Sequence, residues 1–218
     1  MHRIHYRFGL VLCLIIAAVF VTMAAPRGDG GRFAAVVLQS GVLVAAVIAS
    51  KAHPWIIRVS IVAAIAGVVG AAAALFGSGE FGDSSSGIVG FLYVFLPFPA
   101  IAAGVYRQFR EVGTVTVQTM FGVLCLYLLL GLIFGAAYAS VQDLSNTDFF
   151  TSHAASGRDD FLYFSYSTLT TVGYGDLVAA ANFGRSLAIS EALLGQVYLV
   201  TVVAVIVSRI ERPQRSRT

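Results

Sequence analysis

Apolar residues run through this chain in long, nearly unbroken stretches, and polar residues are confined to short breaks between them. A helix needs about 20 mostly apolar residues to cross a ~30 Å hydrocarbon core. Six stretches reach that class: residues 8–25, 33–50, 55–76, 87–106, 113–141 and 183–208. The breaks carry turn signals at Pro26 to Gly31, at Ser50-Lys51-Ala52-His53-Pro54 and at Gly77 to Gly87. A short charged joint, Arg107-Gln108-Phe109-Arg110-Glu111, is expected to link the fourth stretch to the fifth. Residues 142–157, rich in Ser, Thr, Asn and Asp, read as an external loop. Asp159 and Asp160 then mark the start of a short helix, because acids in a first turn satisfy free amides and complement the helix dipole. That helix, Phe161 to Thr170, is too short to span a bilayer, so it is expected to enter the membrane and turn back.

Composition supports a membrane protein. The 218 residues are 58% hydrophobic and 11% charged, the mean hydropathy is +0.84, and soluble domains carry about 25% charged residues. Charge location fixes an expected orientation. With the N-terminus in the cytoplasm, the inside segments hold Arg3, Arg7, Lys51, Arg58, Arg107, Arg110, Arg209, Arg212, Arg215 and Arg217. The outside segments hold only Arg27, Arg32, Arg158 and Arg185, which fits the positive-inside rule with both termini cytoplasmic. The basic tail abuts a membrane helix, where anionic lipid is a partner, and nucleic acid is not called for. Ala24-Ala25 resembles a signal-peptide cleavage site, but an apolar run of about 18 residues is long for that role, and the segment is read as a membrane helix. Cys13 and Cys125 fall inside apolar runs and read as packing residues.

The motif that decides the reading is Thr171-Val172-Gly173-Tyr174-Gly175-Asp176. Two glycines permit backbone angles closed to other residues, so that consecutive carbonyls can face one axis. Thr171 adds a hydroxyl oxygen at the inner end. The first five residues have a chance probability on the order of 1 in 10,000 in a chain of this size. Here the sequence resembles the potassium-channel superfamily, specifically its pore domain of outer helix, pore helix, filter and inner helix. The resemblance implies an all-α membrane protein with six transmembrane helices, a short re-entrant pore helix and filter loop, and a tetrameric pore. It divides the chain into a four-helix membrane region, 1–111, and a pore domain, 112–218, with outer helix 113–141, pore helix and filter 159–176, and inner helix 183–209.

The same resemblance assigns roles. Thr171, Val172, Gly173, Tyr174 and Gly175 would coordinate potassium, four copies replacing the ion's water shell. Asp176, Tyr163 and Glu191 would support the filter, with Asp176 bonded back to the pore helix through Tyr163 and Glu191 bonded to the pore helix behind the filter; the competing readings are a solvated acid at the mouth for Asp176 and a reach to the external interface for Glu191. Relatives often carry paired tryptophans and an acid in this helix; the aligned positions here are Tyr163-Phe164 and Ser167, so an aromatic cuff of Tyr163, Phe164 and Tyr166 is expected and the usual carboxylate is missing. Gly195, in the pattern Glu191-x-x-x-Gly195-Gln196, stands where the family bends to gate, with helix packing as the competing reading. Gly131 and Gly135 are expected to bring the outer helix close to the inner helix. Residues 142–185 hold five Asp against two Arg, a balance that would concentrate cations at a fourfold mouth or simply form a solvated loop.

The first half lacks a voltage sensor's charge ladder. The fourth stretch, Gly87 to Ala100, has no charge, and Pro97 and Pro99 are expected to kink or break it. Arg58 lies near the inner end of its segment and can snorkel. In the third stretch, Ala63, Ala64, Ala66, Gly67 and Gly70 offer a small-residue packing face. The nine residues after 209 predict no appended ligand-binding domain. The function implied is a potassium-selective channel subunit, a homotetramer in a bacterial inner membrane, passive and without a cofactor other than the permeant ion. Two transport alternatives stand beside it: a non-selective cation channel, which usually lacks the full motif, and a potassium-uptake transporter, which carries four degenerate repeats in one chain. A membrane enzyme is a further class. Against it, His2, His5, His53 and His153 form no ligand spacing, and residues 1–111 offer no paired Cys or intramembrane carboxylate.

Overall fold

The structure, a computed structural model, describes residues 7–24, 29–50, 54–76, 95–112, 116–145, 147–152 and 157–209. Among these the regular structure is helical apart from one isolated bridge. The helices are α1 (Arg7–Ala24), α2 (Asp29–Ala49), α3 (Pro54–Phe76), α4 (Pro97–Val112), α5 (Val117–Leu144), α6 (Arg158–Leu169) and α7 (Asn182–Arg209). The expected external loop 77–87, the start of the fourth apolar stretch (87–94), the tail beyond 209 and all four histidines lie outside the described residues.

Among the described residues, α5 alone is both long and apolar enough to cross a membrane by itself; the apolar parts of α1, α2 and α3 are Phe8–Ala24, Phe33–Ala49 and Pro54–Gly70. With 28 residues, α5 extends about 42 Å at 1.5 Å per residue. The 12 residues of α6 reach only about 18 Å.

The fourth stretch is interrupted where the prolines are expected to interrupt it: Phe95 is helical, Leu96 is a turn, and α4 opens afresh at Pro97. Both prolines lie in the first turn of α4, where helix amides have no partner to lose. The charged joint from Arg107 is not a linker but the last turns of α4, with Arg110 where a cation meets the negative helix end. Pro97, Ile101 and Gly104 form the buried face of this helix, at spacings of four and three, while Tyr106, Arg107 and Arg110 are exposed.

One core joins the two halves of the chain. Phe8, Val11, Ile15 and Ala18 present one face of α1 to Cys125, Leu129 and Leu132 of α5, with Ala46 of α2 and Ile101 of α4 closing the cluster. The Phe8 amide donates to Gln118 Oε1 at 3.1 Å, and Gly104 lets α4 approach Ser50, where a Cβ would stand 2.8 Å from the serine Cα. Among the described helices α3 packs only on α2, and Ser60 and Ala64 are its buried residues; Ala66 and Gly70 of its small-residue face point outward. Cys125 is buried as expected of a packing residue, whereas Cys13 is exposed on α1.

The Gly131–Gly135 pair serves a different partner from the one its spacing implied. It faces α6, not α7: a Cβ on Gly131 would lie 2.6 Å from the Tyr166 ring, and one on Gly135 would lie 3.2 Å from the Leu162 Cα. Tyr166 cannot simply swing away, because its hydroxyl donates to the Leu128 carbonyl at 2.7 Å. Overpacking of this kind costs about 1–3 kcal/mol. Gly131→Ala is therefore expected to lower the thermal unfolding temperature of the detergent-purified protein, and Gly70→Ala, where a Cβ meets nothing within 4 Å, is expected not to.

Candidate functional site

An α-helix ends with carbonyls that lack intrahelical donors. At the end of α6 the chain folds back to supply them. The amide of Thr170 donates to Tyr166 O at 3.0 Å, that of Thr171 to Thr168 O at 3.0 Å, and those of Val172 and Gly173 both to Ser167 O at 2.9 and 3.1 Å. Among the described residues no peptide bond is cis, and in a planar trans peptide the carbonyl points opposite to the amide that follows it. The carbonyls of Thr170, Thr171 and Val172 are therefore turned away from α6.

Positive φ recurs at every second residue: 60° at Thr171, 55° at Gly173 and 82° at Gly175. Such alternation gathers successive N–H groups on one side of the backbone, leaving the carbonyls on the other. The glycines are required by the backbone and not by crowding, since a Cβ at either would meet nothing within 4 Å. Thr171 was not foreseen. A β-branched residue in the left-handed region carries strain of about 1–3 kcal/mol, and its hydroxyl donates to the Thr170 carbonyl at 2.7 Å.

Around this segment the subunit gives little cover. Residues 170 to 176 are all exposed, with Val172 at 53% and Tyr174 at 71%. The Tyr163 ring stacks on Tyr174 with centroids 6.0 Å apart and planes at 10°, and its hydroxyl donates to Asp176 Oδ1 at 3.2 Å. Ser167, aligned with the family's acid, turns its hydroxyl to Phe164 O at 3.0 Å within its own helix. The expected cuff of three aromatics is reduced within the subunit to Tyr163. Phe164 is buried against Tyr138, Phe149 and Phe150, and Tyr166 packs on α5.

Beyond Asp176 the chain is tied to the segment before α6. Phe150 and Ala179 form an antiparallel bridge, with Thr151 N to Val178 O at 2.9 Å and Ala180 N to Phe149 O at 2.8 Å. Arg185 Nε adds a bond to the Ala179 carbonyl at 3.0 Å. Phe149 and Phe150, set in a polar stretch of sequence, are 4% and 1% exposed, and they anchor the aromatic cluster under this bridge. Two adjacent aromatics in an otherwise polar loop were the available signal.

Behind the segment, α7 brings Glu191 and Gly195 to α6 on one helix face. Glu191 is fully buried; Ser165 Oγ lies 2.5 Å from its Oε1 and Tyr138 Oη 2.5 Å from its Oε2. Gly195 lets α7 approach α6 closely: a Cβ would stand 2.9 Å from the Leu169 carbonyl oxygen. That contact accounts for a glycine by packing. Glu191 therefore meets α6 at Ser165, while Tyr163 and Asp176 meet just beyond Gly175. Sequence reasoning missed Tyr138, Ser165, Tyr127 (hydroxyl to Leu169 O, 3.2 Å) and Tyr198 (hydroxyl to Val123 O, 2.6 Å). Each is a polar tip in an apolar run.

Residues 122–212 match the ion channel family, in the two-helix pore form of the potassium-channel superfamily. The match spans most of α5 together with α6, the filter segment and α7. No curated protein and no solved structure matches the chain.

A Cβ at Gly173 places an ordinary L-residue at φ 55°, which costs about 1–3 kcal/mol in each subunit that contributes the segment. Gly173→Ala is expected to abolish ion flux while the protein still inserts into membranes. Thr171→Ala, which removes a hydroxyl and keeps the glycines, is expected to retain partial flux. Side-by-side flux from vesicles holding either purified variant checks this, and wild-type flux through Gly173→Ala would remove the segment from the pathway.

Proposed function

We propose that this chain, whose residues 122–212 carry the pore domain of the potassium-channel superfamily, is one subunit of a potassium-selective channel that conducts passively as a homotetramer. The observation that carries the reading is the Thr171–Gly175 backbone: the amides of Thr171, Val172 and Gly173 are bonded back to α6, the carbonyls before them are turned away, and the chain's own residues give the segment little cover. A dehydrated potassium ion needs about the oxygens it gave up, and rings of backbone carbonyls from several strands replace them. One chain supplies one strand. Three further copies complete the rings and cover Val172 and Tyr174.

Residues 171 to 175 take the coordinating role in this reading, with Thr171 contributing its hydroxyl at the inner end. Asp176 and Tyr163 hold the outer end, and Gly195 serves both the close contact to α6 and, as the gate's flexible point, the bend of α7. The chain crosses the membrane six times with both termini in the cytoplasm, and a bacterial inner membrane is its home. Lipid and potassium are its other partners. The ion channel family points away from an enzyme.

Reconstitution into a bilayer with potassium on one side and sodium on the other tests the reading. The current is expected to reverse near the potassium equilibrium potential; reversal near zero would favour a non-selective cation pore. Cross-linking in lipid is expected to stop at four subunits.

Voltage dependence follows separately. Each gating charge crossing the field contributes about 2.3 kcal/mol per 100 mV, and the residues 87–100 carry none. Arg107 and Arg110 sit exposed in the last turns of α4. A shallow conductance–voltage relation is expected, and a steep one would assign residues 1–111 a sensing role.

A further inference from the structure

Glu191 is the one carboxyl fully buried among the described side chains, and conduction through the Thr171–Gly175 segment makes no direct use of it. It stands where three helices meet: on α7 itself, against Ser165 of α6 and Tyr138 of α5, both of which are also fully buried. Three short contacts form a chain. Gly131 O lies 2.7 Å from Ser165 Oγ, Ser165 Oγ lies 2.5 Å from Glu191 Oε1, and Glu191 Oε2 lies 2.5 Å from Tyr138 Oη.

Each contact needs one hydrogen, and the inventory of donors decides who supplies it. A backbone carbonyl only accepts, so the Ser165 hydrogen must go to Gly131. With that hydrogen committed, Ser165 Oγ has only lone pairs left for Glu191. Tyr138 supplies the hydrogen to Oε2. The remaining contact, Oε1 to Ser165 Oγ, closes only if Glu191 itself donates. An ionised Glu191 would claim the serine hydrogen and leave two bare oxygens facing each other at the Gly131 contact.

We propose that Glu191 is held as the neutral acid and acts as a positioning residue for the filter, donating from Oε1 to Ser165 and accepting from Tyr138 on Oε2. The chain of bonds then runs in one direction from Tyr138 through Glu191 and Ser165 to the Gly131 carbonyl, locking α7, α6 and α5 together. Ser165 is two residues from Ser167, whose carbonyl receives the Val172 and Gly173 amides. Tyr138 packs edge-on to Phe164, with centroids 5.1 Å apart, in the cluster that holds the segment beyond Asp176. The positioning role rests on the channel reading above; the protonation does not.

The test uses the full chain in lipid vesicles. Glutamine is the matched replacement: its amide donates to Ser165 and its carbonyl accepts from Tyr138, so every bond survives in Glu191→Gln. Valine provides neither, and Glu191→Val leaves two buried hydroxyls without that partner. In wild-type vesicles at neutral pH, the infrared spectrum is expected to contain a protonated-carboxyl C=O band that disappears in Glu191→Gln. A wild-type spectrum without that band overturns the neutral acid. Glu191→Gln is expected to keep the potassium-to-sodium flux ratio within about twofold of wild type, and Glu191→Val to lower it on the order of tenfold. Equal damage in both variants, or none in Glu191→Val, overturns the positioning role. If Glu191→Val does not fold, Glu191→Gln and the band decide alone. If wild-type vesicles pass no potassium, the channel reading fails while the band still tests the acid.

Discussion

The Ser167 carbonyl accepts two successive amides, from Val172 and Gly173, and the geometry of the candidate filter depends on that double bond. A helix end must find donors for its last carbonyls or leave them unsatisfied in a poorly hydrated place. The filter backbone satisfies that need for α6, and in doing so commits its amides to one side. Its carbonyls are left for the other side, where a cation can use them. The positive φ values at Thr171, Gly173 and Gly175 are the conformational cost of making both arrangements at once. Strain at Thr171 is tolerated because the amides on either side of its α-carbon, its own and that of Val172, are both fixed to α6.

What keeps α6 itself in place is a set of hydroxyl groups bonded to backbone carbonyls of neighbouring helices. Ser165 and Tyr166 reach α5 at Gly131 and Leu128, Tyr198 reaches α5 at Val123, and Tyr127 of α5 reaches the last carbonyl of α6. Between membrane helices such bonds average only about 0.6 kcal/mol, and small residues supply the rest by close packing. The two devices coincide here. Gly131 both accepts from Ser165 and makes room for Tyr166, so one turn of α5 fixes the rotation and the depth of α6.

Local chemistry was legible in the sequence, and rotational register was not. The apolar runs place α1, α2, α3, α5 and α7 to within four residues at every end, because helix length against a bilayer is a one-dimensional property. The need for glycine at 173 and 175 is likewise local, set by φ alone. The partner of the Gly131–Gly135 face, the outward turn of Cys13 and the burial of Phe164 away from Tyr174 depend on how each helix is rotated about its axis, and an all-apolar helix leaves no amphipathic stripe to declare it. The interruption at Leu96 is likewise local, since proline is disfavoured inside a helix and favoured in a first turn. The charged joint from Arg107 was misread as a linker because its charges lie on the exposed side of a helix that continues to Val112. Thr171 escaped because a threonine in the left-handed region is what propensity argues against.

The shared core gives the first half of the chain a mechanical place. Helix α1 seats Phe8 against Gln118, Gly122 and Cys125 near the start of α5, and α4 reaches the same end of α5 through Val105 beside Gly122. Among the described helices, α3 touches only α2. The contacts of α1 run along α5 from Gln118 to Leu132, and α4 adds its own near the start of that helix. A helix braced at that end and tied to α6 at Gly131 and Gly135 can transmit little rotation without breaking one set of contacts or the other. The inner-helix candidate α7 is tied to α6 and α5 at Glu191, packs on Leu169 at Gly195, and bonds Val123 through Tyr198.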